Sequence, residues 1–195
     1  MKAFRTVTAR VAVLDRSDVD TDQIIPKQFL KRIERTGYGE FLFFDWAKDA
    51  AFELNRPEYA GARILLAGLN FGCGSSREHA AWALQDAGYD VVIAPSFGDI
   101  FRTNSLKIGL LPVVLPADEI RSLMQVTKAG AEVTVDLAAL ELTGPDGRRI
   151  PFGLDAFERE RLLEGLDDIA LTLIREPEIT AYEARHPARI ATIAL

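Results

Sequence analysis

Apolar and polar positions alternate from Val7 through Val13, which predicts an opening β-strand running into the acidic loop Asp15 to Asp22. The run Arg63-Ile64-Leu65-Leu66-Ala67 reads as a buried strand, and further strands are predicted at 91–94 and 111–115. Helical stretches at about 76–88 and near 98–107 separate them. This strand–helix rhythm predicts an α/β fold with a parallel core. After a helix at about 117–129, the runs Glu132 to Leu137, Leu140 to Thr143 and Arg149 to Phe152 read as short strands. They are joined by turns such as Pro145-Asp146-Gly147, giving a β-rich second half that closes over the core. Helices at about 154–164 and 177–185 finish the chain, with 186–195 a surface tail. No repeat and no low-complexity linker interrupts residues 1–195, so the chain reads as a single domain.

Composition narrows the classes of function. At 195 residues and 48% hydrophobic content the chain can bury a proper core. A net charge of -6, a pI near 5.0 and the lack of a lysine-arginine stripe argue against nucleic acid or an anionic membrane as partner. The start Met1-Lys2-Ala3-Phe4-Arg5 has no apolar signal region and no run approaches a membrane span, so a cytoplasmic protein is expected. Cys73 is the only cysteine, whereas an iron–sulfur cluster needs several thiolates; this chain cannot hold one by itself. With His79 and His186 as the only imidazoles, far apart in sequence, no dedicated transition-metal site is expected either.

The densest chemistry lies between Gly68 and Ala80, where a predicted strand passes through a glycine loop into a helix start. The first amides of a helix lack internal acceptors and sit at its positive end, so a carboxylate or phosphate is favoured there. Gly72 and Gly74 let backbone approach a ligand, Ser75 and Ser76 offer hydroxyls, and Arg77 can hold a carboxylate through two parallel hydrogen bonds. Ser75 and Glu78 also have capping-box spacing, which would close the helix start but would leave the glycines, the second serine and the arginine unexplained. Nucleotide motifs fail: no lysine follows Gly74, and the third glycine of a dinucleotide fingerprint is Arg77. Cys73 reads as a small residue lining the loop and His79 as a packing or hydrogen-bonding residue.

Two other regions carry candidate chemistry. Asp15, Asp18, Asp20 and Asp22 suggest a calcium loop, but Gln23 and Phe29 stand where an EF-hand needs glycine and glutamate, leaving a turn closed by side-chain hydrogen bonds. Pro26 to Trp46 mixes basic residues with Phe29, Tyr38, Phe41, Phe43, Phe44 and Trp46, either a satellite core or a binding face; Gly37 and Gly39 suit a loop that moves.

The segment GLNFGCGSSREHA, Gly68 to Ala80, closely resembles the signature of the swivelling domain in the aconitase superfamily. More specifically, the chain is similar to the family of small subunits of 3-isopropylmalate dehydratase, or isopropylmalate isomerase, of bacterial leucine biosynthesis. Further segments resemble that family in its order: DVDTDQIIPKQFL (Asp18 to Leu30), RTGYG (Arg35 to Gly39), VVIAPSFGDIF (Val91 to Phe101), Asn104-Ser105 and GLDDIALTL (Gly165 to Leu173). Departures are small: Ala47 and Lys48 follow Trp46 where arginine is frequent, and Gly98 stands where alanine is common.

The resemblance implies a swivelling β/β/α fold and a hydro-lyase that interconverts 2- and 3-isopropylmalate through isopropylmaleate. It implies a large-subunit partner carrying a 4Fe–4S cluster and a small dicarboxylate substrate. On this chain it implies Ser75 as the base, Ser76 and adjacent amides including Gly74 as donors, and Arg77 as the carboxylate clamp. Asp20, Thr21 and Asp22 become a wall of the site, and Arg35 belongs to the segment that recognises the substrate's side group. The competing readings are a small subunit acting on homoaconitate or methylmalate, or a module that senses a dicarboxylate without a partner.

Overall fold

The computed structural model describes residues 1–31, 35–74, 77–127 and 129–186; the proposed tail beyond 186 lies outside them. Its organising element is β1, Thr6–Leu14, whose two halves do different work. Val11 to Leu14 pair in parallel with β2, Ile64–Ala67, while Thr6 to Arg10 pair antiparallel with β5, Glu132–Asp136. The burial of β1 changes at the same point. Its first half alternates between exposed and buried residues, and its second half is buried throughout. That is the pattern expected where a one-sided antiparallel ribbon passes into a parallel sheet covered on both faces.

Beyond β2 the parallel sheet continues through β3, Val91–Ala94, and β4, Leu111–Val114. Beyond β5 it continues antiparallel through β6, Glu141–Thr143, and β7, Arg149–Pro151. The order is β4-β3-β2-β1-β5-β6-β7. The β-rich second half thus reaches the core by extending the sheet through the open edge of β1, which is longer than β2 and leaves its first five residues to be paired by β5.

Two short helices precede β2: α1, Thr21–Ile24, and α2, Phe44–Ala47. The crossovers between parallel strands are α3, His79–Asp86, and α4, Asp99–Ile108, which pack side by side, while α5, Ala117–Thr127, runs back across β3, β2 and β1. Every residue of β2 and β3 is buried, so helices cover both faces there. The chain ends in α6, Ala156–Glu164, α7, Asp168–Ile174, and α8, Glu176–Arg185. The periodicity predicts α6 and α8 but not α7, whose seven residues are too few to show a helical stripe.

The aromatic segment is neither a separate satellite core nor an open face: Tyr38 and Phe43 belong to the main core, and Phe29, Phe41 and Trp46 pack against it. Tyr38 and Phe43 are fully buried, Phe29 stacks on Phe41 at 4.0 Å, and Phe43 stacks on Trp46 at 5.7 Å. Gly39 is explained by close approach rather than by motion: a Cβ there would lie 2.7 Å from the backbone of Asp86 and Ala87. The Tyr38 amide donates to the Asp86 carboxylate at 2.9 Å, fixing this segment on the end of α3.

Candidate functional site

At the carboxyl ends of β1, β2 and β3, three loops are laced into one surface. The 68–74 loop lies between the other two. On one side Asp18 N donates to Leu69 O at 2.8 Å, Gly72 N to Val19 O at 2.7 Å and Thr21 N to Cys73 O at 3.0 Å. On the other, Phe71 N donates to Ser96 O at 3.1 Å and Gly98 N to Phe71 O at 2.9 Å. Side chains reinforce the lacing: Asn70 donates through Nδ2 to Asp18 at 2.8 Å, and its backbone amide donates to the Ser96 hydroxyl at 2.9 Å. Open α/β sheets bind ligands at this end of their strands.

Close approach explains the glycines. Gly72 has φ +74, and a Cβ there would lie 2.3 Å from the Phe101 ring. Gly72→Ala combines a left-handed backbone with overpacking and is expected to lower stability by about 2–4 kcal/mol; thermal unfolding of the variant measures it. A Cβ on Gly98 would lie 2.5 Å from the Gly72 carbonyl, so alanine here requires the two loops to move apart.

The acidic segment closes as a capping box and not as a cation loop. The Asp20 carboxylate accepts from Gln23 N at 2.8 Å while Gln23 Oε1 accepts from Asp20 N at 2.9 Å, which starts α1. Thr21 is buried and Asp22 is half-exposed. The Asp22 carboxylate pairs with the guanidinium of Arg77, whose side chain is only 20% exposed. The structure therefore brings Asp20, Thr21, Asp22, Gly74 and Arg77 together; Gly74, with φ +92, faces Asp20, whose Cβ would be 3.5 Å from a Cβ at that position. Among the described residues no three His, Cys, Asp or Glu side chains are grouped to hold a metal ion.

The capping-box spacing of Ser75 and Glu78 would start α3 at residue 76. Helix α3 begins at His79, three residues later than the pattern indicates, with Glu78 at the N-cap and no side-chain cap. Glu78 is therefore not at the third helical position, from which a capping-box glutamate reaches back. Ser75 and Ser76 lie outside the described residues.

His79 packs as expected, its ring 5.1 Å from that of Tyr38 and 4.6 Å from that of Trp82. Burial lowers its pKa, Glu78 pulls it up and the Arg77 charge lowers it, leaving it below the usual histidine value. The guanidinium of Arg35 lies 6.0 Å over the Trp82 ring of α3. Cys73 is held as a thiol: burial raises its pKa, and the carboxylates of Asp20 and Asp18 raise it further, the reverse of what a nucleophile needs. Sequence reasoning did not single out Ser96, Asn70 or Trp82. Asn70, at φ +57 beside a glycine loop, carries a turn signal, whereas Ser96 and Trp82 become visible only when the loops are assembled.

The first 118 residues match the family model described as the aconitase C-terminal domain, a LeuD_N model matches 121–156, and residues 168–189 match the C-terminal domain of the 3-isopropylmalate dehydratase small subunit. A 3-isopropylmalate dehydratase small subunit from Parafrankia sp. is 56% identical over the whole of both chains. The chain belongs to the 3-isopropylmalate dehydratase small-subunit family. Another member, from Bacillus subtilis, is 52% identical over 95% of this chain and 96% of its own. A crystal structure of 3-isopropylmalate dehydratase (leuD) from Methanocaldococcus jannaschii superposes with a TM-score of 0.69 at 30% identity, covering 91% of this chain and 99% of that one. The family's swivelling α/β domain is thus the fold described above.

Proposed function

We propose that this chain is the small subunit of 3-isopropylmalate dehydratase, a cytoplasmic hydro-lyase of leucine biosynthesis, and that residues 1–195 form one swivelling domain acting only with a large subunit. The observation that carries the reading is 56% identity from end to end with a protein of that name, across both the shared loop and the Pro26 to Trp46 segment. With Cys73 as its only thiol and no metal-binding group among its described residues, this chain does not fit an iron–sulfur cluster. Cluster ligands belong to the large subunit, and the roles below are those of this chain's own side chains.

Dehydration removes a hydroxyl from one carbon and a proton from its neighbour, forming the double bond of isopropylmaleate; addition of water with the opposite placement completes the isomerisation. The proton is weakly acidic, so a base must be held against the carbon. Ser75 is assigned that role. Its alkoxide would be stabilised by Ser76, by the amides around Gly74, and by the first-turn amides of α3, which a helix leaves without internal acceptors. Arg77 holds a substrate carboxylate, with Asp20, Thr21 and Asp22 as the wall beside it. Arg35 and the aromatic segment are assigned to the isopropyl end of the substrate, where burying the branch is worth about 2 kcal/mol.

The test is the appearance of isopropylmaleate absorbance from 3-isopropylmalate. This chain is mixed with a cluster-reconstituted large subunit, and each chain is assayed alone beside the mixture. Activity is expected only in the mixture. Silence in a mixture with verified cluster and verified complex would exclude this substrate and favour a related hydroxy diacid.

A further inference from the structure

Left-handed backbone recurs where the acidic loop crosses the glycine loop. Among the described residues the non-glycine positions with positive φ are Asp18, Phe43, Asn70 and Leu140, and two of these, Asp18 at +55 and Asn70 at +57, face each other at this crossing. Glycine takes such a conformation at little steric cost, and the same loop uses it for that purpose at Gly72 and Gly74. Aspartate and asparagine tolerate it better than other side chains, yet less well than glycine. Side chains kept at two such positions therefore point to a role that glycine cannot fill. That role is visible in the contact itself: Asn70 donates through Nδ2 to the Asp18 carboxylate at 2.8 Å, across 52 positions of sequence.

We propose that Asp18 and Asn70 are a positioning pair that sets the acidic wall, Asp20 to Asp22, against the loop leading to Arg77, an inference that rests on the function proposed above. Each stands at the root of one partner of the ion pair in the site. Asp18 precedes the capping box that starts at Asp20 and presents Asp22, and Asn70 precedes Gly72, Gly74 and Arg77. The two strips run parallel, bridged at Asp20 and Cys73, and backbone bonds from Gly72 to Val19 and from Thr21 to Cys73 join them. A narrow ribbon held by backbone bonds alone can twist, and a side-chain bond at its entrance restrains that twist. Asn70 is also anchored on its other side, where its backbone amide donates to the Ser96 hydroxyl at 2.9 Å. The pair thus refers the acidic wall to the loop after β3 as well as to the glycine loop.

Glycine at either position keeps the left-handed backbone and removes the bond, so Asn70→Gly and Asp18→Gly separate positioning from folding. The reciprocal exchange Asp18→Asn/Asn70→Asp restores the bond with donor and acceptor reversed, using residue types that both tolerate positive φ. Two measurements test the pair: kcat and KM for 3-isopropylmalate in the mixture with cluster-reconstituted large subunit, and the rate at which iodoacetamide alkylates Cys73, the only thiol, in the small subunit alone. In each glycine variant KM is expected to rise about tenfold with kcat within about threefold of wild type, less than the roughly 10²-fold that a misplacement of about 1 Å can cost, because the backbone bonds remain. Alkylation of the half-buried Cys73 should accelerate about threefold or more as the ribbon opens locally. Unfolding temperatures should move by no more than about 4 °C, and the exchange should return KM to within about threefold of wild type.

A KM in the glycine variants within about threefold of wild type, or alkylation as slow as in wild type, overturns the positioning pair and leaves the proposed function standing. So does an exchange variant whose KM stays as high as that of the glycine variants, since the bond is then not what matters. If one glycine variant does not fold, the other and the exchange carry the same test. A wild-type mixture with verified cluster and complex that leaves 3-isopropylmalate unchanged removes the functional reading, and the alkylation rates then decide the pair by themselves.

Discussion

Ser75→Ala is expected to lower kcat in the assembled enzyme by on the order of 10³-fold while leaving the fold and the complex intact. The size follows from two effects acting on one step. Removal of a positioned general base costs about 10²–10⁴ in rate, and the donors arranged for its alkoxide lose the charge they stabilise, an interaction worth about 3 kcal/mol for a single donor in comparable sites. The fold should be spared because the loop is held by bonds that do not involve residue 75. Gly72 N to Val19 O, Thr21 N to Cys73 O and Gly98 N to Phe71 O, at 2.7–3.0 Å, fix the segment up to Cys73 on both sides. Helix α3 then starts from its own N-cap at Glu78. The measurement is kcat in the reconstituted mixture at saturating substrate, with unfolding temperature and large-subunit affinity as controls. A rate within about tenfold of wild type would remove Ser75 from the role of base, because solvent does not replace a positioned group that well.

Much of the scaffold could be read from the chain because its signals are local. Continuous apolar runs at 64–67 and 91–94 are what strands covered on both faces require, and the alternation at the start of β1 is what a half-covered strand requires. How the second half joins the first was not readable in this way. Pairing between Thr6–Arg10 and Glu132–Asp136 spans more than 120 residues, and no local pattern encodes a partner at that distance. The helix start after the serine loop was misplaced for a related reason. Ser75 and Glu78 have the spacing of a capping box, but the 68–74 segment is tied on both sides to other loops, so tertiary contacts set where α3 begins. Gly39 reads as a hinge in one dimension and proves in three to be the only residue that fits against the end of α3. The site was legible in its residue types but not in its pairings, since Asp22 and Arg77 are 55 positions apart.

Arg77→Ala is expected to lower kcat/KM by about 10²–10³-fold, and Arg77→Lys to recover only part of that loss. A carboxylate held by a guanidinium gains two charge-assisted hydrogen bonds, each worth about 1.5–3 kcal/mol in a protected site. Lysine keeps the charge but presents no planar fork, so it can restore attraction without orientation. The present partner of Arg77 sharpens the prediction. Asp22 holds the guanidinium before substrate arrives, and in the alanine variant its carboxylate is left facing the substrate's own negative charge. Loss of a clamp and gain of a repulsion act in the same direction on substrate binding. Stability should respond much less, because Asp22 is half-exposed and such pairs contribute at most about 1 kcal/mol, which for a chain of this size shifts the unfolding temperature by about 2–4 °C. Asp22→Asn provides the complementary reading. It removes the repulsion and the tether together, so its kcat/KM should fall by less than that of Arg77→Ala if Asp22 acts by positioning Arg77 and not by touching the reacting carbons. Kinetics of the three variants in the reconstituted enzyme, set beside their unfolding temperatures, test the clamp directly: a kcat/KM for Arg77→Ala within about threefold of wild type would mean that Arg77 is bound to Asp22 for structure alone.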